Sequence, residues 1–237
     1  MNSNKKTAII VGILFLTATA TFMIGDSLLI ESIINAPDYL IKVFENKTQV
    51  IIGVLIAFID GIAIVGIAVF MFPILKKHNE PIALGYFGLR VVEFAIILVY
   101  LICPLLLIDL SQEYVKAGAP DASYFQTSGT LFLAIRYWTL QMIYTFNGLL
   151  TLMLSYLLYK SKLVPRFISV LGLIGGAVML PGTLLDMFGH IDLLGAGMIV
   201  FLPGGLFELL LPIWLFVKGF NSSSIASGSA KTEIKKV

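Results

Sequence analysis

Six long apolar stretches constrain this chain more than any other feature of its sequence. They lie at about 7–30, 50–75, 82–108, 131–159, 167–189 and 194–218. A helix needs about 20 mostly apolar residues to cross about 30 Å of hydrocarbon, and each stretch is long enough to do so. Of the 237 residues, 58% are hydrophobic and 13% are charged, whereas about a quarter of a soluble domain is charged. The sequence therefore predicts an all-α integral membrane bundle of six transmembrane helices.

The distribution of Lys and Arg predicts the orientation of these helices. Basic residues concentrate near the N-terminus, in the connections at 76–81 and 160–166, and after the last stretch. The loops at 31–49 and 109–130 hold few basic residues and several acidic ones. Because loops rich in Lys and Arg stay in the cytoplasm, we expect both termini to be cytoplasmic. We expect the chain to lie in the cytoplasmic membrane of the cell, with the lipid bilayer as its surroundings.

The two ends of the chain allow further expectations. Lys5 and Lys6, followed by an apolar stretch and ATA at 18–20, also fit a signal peptide. The hydrophobicity continues to Ile24, which favours a first span instead. We predict that residues 1–220 form a single six-span membrane domain. The Ser-rich segment 221–237 is expected to be a disordered cytoplasmic tail.

Four charged residues fall deep inside the apolar stretches. They are Asp60 in the second stretch, Arg90 and Glu93 in the third, and Glu208 in the sixth. At about 1.5 Å per residue, they lie about 10–20 Å from the expected cytoplasmic ends of their helices. An unpaired ion at such a depth costs on the order of 3 kcal/mol by insertion scales. We therefore expect the four side chains to face one another and to form a candidate ligand-binding site.

The charges of this set leave two interpretations open. Arg90 and Glu93 are three residues apart on one helix face and can pair. One arginine cannot neutralise three carboxylates, so either an acid holds a proton or a cation lies among them. In that interpretation the ligand is a small molecule, a proton or a cation. In the other, the buried arginine bridges carboxylates and only fixes how the helices pack.

Three further charged residues lie near the expected outer ends of their helices. Asp26, Asp186 and Arg136 are each within about two turns of such an end, and we expect their side chains to reach water there. Arg136 precedes Tyr137 and Trp138, and aromatic residues are enriched where a helix leaves the membrane. The sequence therefore favours an interfacial anchor at Arg136.

Two other polar groups are weaker site candidates. Asp186, His190 and Asp192 lie close together in the sequence, but without a second His or a Cys a solvated turn is favoured over a metal site. Asn147 and Gly148 lie within the fourth stretch, where either contact with the charged set or close helix packing is possible. Packing through small residues is favoured.

Motifs that identify enzymes are missing from the sequence. It contains no HExxH, no P-loop, no Rossmann glycine pattern, and no Ser or Cys nucleophile beside a His. Two His residues and the single Cys103 supply no ligand set for a metal or a cofactor. Sixteen basic and fourteen acidic residues nearly cancel, with no basic patch for nucleic acid. We expect a protein that is not an enzyme, holds no metal or cofactor, and binds no nucleic acid.

Four segments carry a family resemblance: FIDGIAIV, FGLRVVEFA, YKSKLVPRFISVLGLIGG and GGLFELLLPIWLFVKGF. On these segments the chain resembles, over residues 7 to 220, the bacterial multi-pass membrane family called domain of unknown function 4386. The resemblance implies an integral membrane protein with this order of spans and no assigned activity. It also implies that Asp60, Arg90 and Glu208 fall on positions where the family carries similar residues.

The leading functional hypothesis is binding or transport of a small molecule or ion through the charged set. The second is a non-catalytic scaffold or regulatory partner of another membrane protein, which would use loops 31–49 and 109–130 as contact surfaces. A membrane enzyme that acts on lipid is the third.

Overall fold

The computed structural model describes residues 3–119, 123–193 and 195–225. Over these residues it is helical, without a strand. Six of the helices are long and apolar enough to cross a membrane, which confirms the predicted all-α class with six spans. The architecture indicates a multi-pass membrane protein.

The helices follow the predicted stretches but extend beyond several of them. The first span begins as α1 and continues through a π-helical segment into the short α2, and the sixth span begins with a 3-10 segment. The bounds are α1 Ser3–Phe22, the π-helical segment Met23–Ile30, α2 Glu31–Ile34, α3 Tyr39–Glu45, α4 Lys47–Leu75, α5 Glu80–Lys116, α6 Ser123–Ser161, α7 Arg166–Met187, the 3-10 segment Ala196–Phe201 and α8 Leu202–Val217.

Local sequence explains where α5 begins. The Asn79 side-chain Oδ1 accepts a hydrogen bond from the backbone N–H of Ile82 at 3.2 Å, which satisfies one of the free N–H groups of the first turn. Pro81 lies in the same turn, where its missing N–H costs no helical hydrogen bond. These residues end the short connection after α4 and start the helix that carries Arg90 and Glu93.

The chain divides into two compact units. The first contains Met1–Leu16, Ala63–Glu93 and Ile143–Val237, and the second contains Thr17–Ile62 and Phe94–Met142. One part of each of α1, α4, α5 and α6 therefore belongs to the first unit and the other part to the second. Arg90, Glu93 and Glu208 lie in the first unit, whereas Asp60 lies in the second.

Close helix packing defines the first unit. A Cβ atom added to Gly175 would lie 2.6 Å from the backbone nitrogen of Gly204, and one added to Gly176 would lie 2.5 Å from the carbonyl oxygen of Gly148. The α7 backbone therefore approaches both α8 and α6 at glycines. Since lipid tails are as apolar as the side chains, such packing, and not hydrophobicity, holds membrane helices together. The buried core includes Met71, Leu75, Tyr86, Leu150, Leu154, Phe207 and Leu211.

A glycine pair also holds together the second unit. A Cβ on Gly25 would lie 2.6 Å from the carbonyl oxygen of Gly53, so the π-helical segment and α4 touch through their backbones. The Gln49 side chain donates a hydrogen bond to the carbonyl oxygen of Leu29 at 3.1 Å. A π-helical segment shifts the regular hydrogen-bond ladder, and Gln49 supplies a donor to it. These contacts fix the segment that carries Asp26.

The predicted tail, 221–237, lies largely outside the described residues, which end at 225. The part that is described packs against the loop before α7. The Asn221 N–H donates to the Leu163 carbonyl oxygen at 2.9 Å, and the Ser224 hydroxyl donates to the Lys162 carbonyl oxygen at 3.1 Å.

Candidate functional site

Arg90 and Glu93 form a buried ion pair on α5. The Arg90 Nη1 lies 2.6 Å from the Glu93 Oε2, and the two residues are 4% and 1% exposed. The pair is the one that their spacing of three residues predicts. The Arg90 Nε also lies 3.4 Å from the Tyr86 hydroxyl oxygen, one turn earlier on the same helix. The guanidinium is therefore held between two side chains of its own helix.

Glu208 on α8 joins this pair through electrostatics and through an amide. Its carboxyl group interacts with both Arg90 and Glu93, and it is hydrogen-bonded to the Asn147 side chain of α6. The Thr151 hydroxyl donates to the Asn147 Oδ1 at 3.3 Å. Because a carboxylate only accepts hydrogen bonds, the Asn147 amide NH₂ is the group that donates to ionised Glu208. The sequence left both contact with the charged set and close helix packing open for Asn147 and Gly148, and it favoured packing. The structure has both, since Asn147 contacts Glu208 and the Gly148 carbonyl oxygen lies against α7.

We call Tyr86, Arg90, Glu93, Asn147 and Glu208 the Arg90 cluster. With Arg90, Glu93 and Glu208 charged, it carries one positive and two negative charges. Asp60, the fourth residue of the predicted site, is half-buried on α4 in the second unit. Its place beside the other three charges stays a prediction.

A second buried polar cluster lies within the second unit, and the sequence did not predict it. Arg136 on α6 and Asp26 in the π-helical segment are each 3% exposed. Their Nη2 and Oδ1 atoms are 2.5 Å apart, and the same Nη2 lies 3.0 Å from the Glu31 Oε1. The expectation that Asp26 and Arg136 reach water was therefore wrong. Depth along a helix does not show which partner the neighbouring helix presents.

Tyr100 on α5 completes this second site, the Arg136 cluster of Asp26, Glu31, Tyr100 and Arg136. Its hydroxyl donates to the Asp26 Oδ2 at 2.7 Å, and the Arg136 Cζ lies 3.9 Å from the centre of its ring. A guanidinium over an aromatic ring is attracted by the negative electrostatic potential of the ring face. This attraction is stronger where water is excluded. Among the described residues, the buried Arg136 Nη1 has no hydrogen-bond acceptor.

The backbone at Asp26 offers a reason for this arrangement. Asp26 lies in the π-helical segment Met23–Ile30, and π-helical turns inside α-helices are frequent at functional sites. The wider turn changes the direction in which the following side chains leave the helix. One sequence signal pointed towards this cluster, since Asp26 and Arg136 are opposite charges that interrupt apolar stretches.

The turn after α7 is organised by its aspartates. The Asp186 Oδ1 accepts from the Leu193 N–H at 3.0 Å, and the Asp192 Oδ1 accepts from the Gly195 N–H at 3.0 Å. Asp186 is 9% exposed, so the expectation that it reaches water was wrong: it holds the turn instead. Within the described ranges, no group of three or more His, Cys, Asp or Glu side chains is placed to hold a metal ion.

Comparison with known proteins gives one finding. A family model described as domain of unknown function (DUF4386) matches residues 10–219. The match contains every residue of both charged clusters. No curated protein and no solved structure matches the chain.

Proposed function

The chain belongs to the family described as domain of unknown function 4386, and from this premise we propose that it is a binding or transport protein for a small molecule or ion. It lies in the cytoplasmic membrane with both termini in the cytoplasm. The ligand binds at the Arg90 cluster, without a covalent step and without enzymatic activity. The observation that carries this proposal is the surplus carboxyl group of Glu208.

The contacts within the cluster divide its residues into two roles. Arg90 is already engaged by Glu93 at 2.6 Å, whereas the hydrogen-bond donor to Glu208 is the neutral amide of Asn147. A carboxylate inside a membrane is costly without a compensating charge. Either a proton or a cation supplies that charge. Glu208 is therefore the group that exchanges the ligand, and the pair of Arg90 and Glu93 is the fixed part of the site.

The backbone near Glu208 supports a ligand site. The sixth span begins as a 3-10 segment and becomes α-helical at Leu202, six residues before Glu208. Gly204 and Gly205 follow Pro203, and a Cβ on either would meet no atom from another part of the chain within 4 Å. In transporters, discontinuous helices beside a polar centre commonly form the ion or substrate site. Here the sixth span changes from a 3-10 segment to an α-helix on the way to this carboxyl group.

A thermal unfolding screen tests the proposal. Detergent-purified wild type, Glu208→Gln, Asp60→Asn and the control Glu113→Gln are melted across a panel of cations, anions and metabolites. Glu113 is suited as a control because its ion pair with Lys116 is exposed. A ligand at a hundredfold excess over its Kd stabilises the folded state by about 2.7 kcal/mol. We expect a compound that raises the Tm of wild type and Glu113→Gln but not that of Glu208→Gln.

The Asp60→Asn variant then decides the extent of the site. A lost shift assigns Asp60 to the ligand, and a retained shift restricts the site to the Arg90 cluster. If no compound shifts the wild type while Glu208→Gln melts far lower, the cluster is structural and the proposal fails. Transport is tested with Arg90→Gln in proteoliposomes, where unchanged uptake and binding would remove Arg90 from the site.

A further inference from the structure

A cavity of about 550 Å³ lies where α7 begins and α8 ends, within the first unit. We call it the basic pocket. Its charged side chains are Lys162 from the loop before α7, Arg166 at the start of α7 and Lys218 directly after α8. Trp214 near the end of α8 also lines it. Buried Leu163 and Phe220 also line it. The pocket therefore combines three positive charges with the half-buried indole of Trp214.

The charge of the basic pocket is one-sided. Lys162, Arg166 and Lys218 are all exposed, and none of the described residues that line the cavity is acidic. Arg166 is also the first residue of α7, and the start of a helix carries a partial positive charge. The Arg166 Cζ lies 5.3 Å from the ring centre of Tyr159. Such a cavity attracts an anion.

Hydrogen bonds join the two segments that form the walls of the pocket. The Asn221 N–H donates to the Leu163 carbonyl oxygen at 2.9 Å, which joins the segment after α8 to the loop before α7. The Ser224 hydroxyl extends the same junction to the Lys162 carbonyl oxygen at 3.1 Å. Lys162 and Gly219 have φ angles of 57° and 73°, the left-handed conformation that turns the chain sharply. These bonds hold the two basic walls beside each other.

We propose that the basic pocket binds the phosphate group of an anionic phospholipid. The ends of membrane helices lie at the level of the headgroups, and basic pockets between such helices bind anionic headgroups. Trp214 fits this location, because tryptophan is enriched at the level of the lipid headgroups. The preference of cytoplasmic loops for Lys and Arg accounts for the three charges, but it does not require a half-buried tryptophan among them. The indole of Trp214 gives the pocket an apolar wall that suits the upper part of the lipid chains.

The proposal concerns a site separate from the Arg90 cluster and does not depend on the function proposed there. Its ligand carries a phosphate group that either a lipid or soluble phosphate supplies, and we assign the lipid. A soluble anion needs no apolar wall, whereas a phospholipid places its glycerol and acyl carbons against one.

The chain contains two Trp residues, so Trp138→Phe leaves Trp214 as a fluorescent reporter inside the pocket. This variant is placed in nanodiscs of zwitterionic phosphatidylcholine that contain a small fraction of brominated phosphatidylglycerol. Bromine quenches tryptophan at contact, so the quenching reports which lipid occupies the pocket. The reference is the same fraction of brominated phosphatidylcholine. We expect stronger quenching by the brominated anionic lipid, with a preference on the order of a hundredfold, since three basic residues contribute about a factor of five each.

Removing the basic residues tests whether the basic pocket causes the preference for the anionic lipid. Each basic residue near an anionic surface contributes about a factor of five in binding, so single changes of Lys162, Arg166 or Lys218 to Gln should each weaken the preference about fivefold. The triple variant should lose it entirely. A control that removes the same charge elsewhere, with Lys5, Lys6 and Lys76 changed to Gln, should keep it.

Two results would overturn the proposal. Equal quenching by the two brominated lipids would show that the pocket does not select an anionic headgroup. In that case the Tm is also measured after adding inorganic phosphate at matched ionic strength. A rise in the Tm of the wild type that the triple variant does not show would mean that the ligand is soluble phosphate and not lipid. A preference that the triple variant retained would place the anionic lipid at another site.

Discussion

Replacing Arg136 with Gln should destabilise the protein more than any single change at its surface. Arg136 lies between Asp26, Glu31 and the ring of Tyr100. Its removal leaves the carboxylate of Asp26, which is 3% exposed, with the Tyr100 hydroxyl as the donor at 2.7 Å. A buried charge that has lost its ionic partner cannot regain solvation without opening the helix packing. The free energy of unfolding is therefore lower in the variant.

The expected magnitude follows from the burial of the pair. Removing one partner of a buried ion pair costs about 3–5 kcal/mol. For a protein of this size each kcal/mol corresponds to about 2–4 °C in Tm, so the Tm of Arg136→Gln should fall by about 6–20 °C. Glu31→Gln is the matched control, since the Glu31 side chain is 32% exposed and an exposed pair contributes about 0–1 kcal/mol.

A double-mutant cycle separates the pair from the rest of the cluster. Wild type, Arg136→Gln, Asp26→Asn and the double variant are unfolded in detergent under identical conditions. Since the double variant buries no isolated charge at this position, its loss should be smaller than the sum of the single losses by about 0.5–3 kcal/mol. A single loss below about 1 kcal/mol, or additive losses, would show that the Asp26 carboxylate does not depend on Arg136.

Further changes test the close backbone contacts and the polar chain of the Arg90 cluster. Gly25→Ala should cost about 1–3 kcal/mol in unfolding free energy, because the new Cβ would lie 2.5 Å from a backbone nitrogen of α4. Gly88→Ala is the comparison: its Cβ meets no atom within 4 Å, so it should stabilise α5 by up to about 1 kcal/mol. Equal effects of the two would contradict this reasoning. Asn147→Leu should cost about 1–3 kcal/mol by leaving the Glu208 carboxyl without its amide donor. That cost should shrink in a Glu208→Gln background, and an undiminished cost would mean that the amide acts elsewhere.

The sequence alone determined the membrane architecture and the shortest-range polar contact. Six apolar stretches specify six spans because a helix must be about 20 apolar residues long to cross the hydrocarbon. Arg90 and Glu93 were predictable as a pair because residues three apart on one helix always share a face. The family was identifiable because charged positions fixed within apolar segments are distinctive.

Only the tertiary structure decided which distant residues meet. Asp26 and Arg136 are separated by 110 positions, and each looked like a residue at the end of its helix until packing placed one against the other. Asn147 meets Glu208 through the approach of α6 and α8, and the π-helical turn at Asp26 has no sequence signature. The physical reason is that hydrophobic length depends on one helix at a time, whereas a polar site depends on the rotation and contact of several helices.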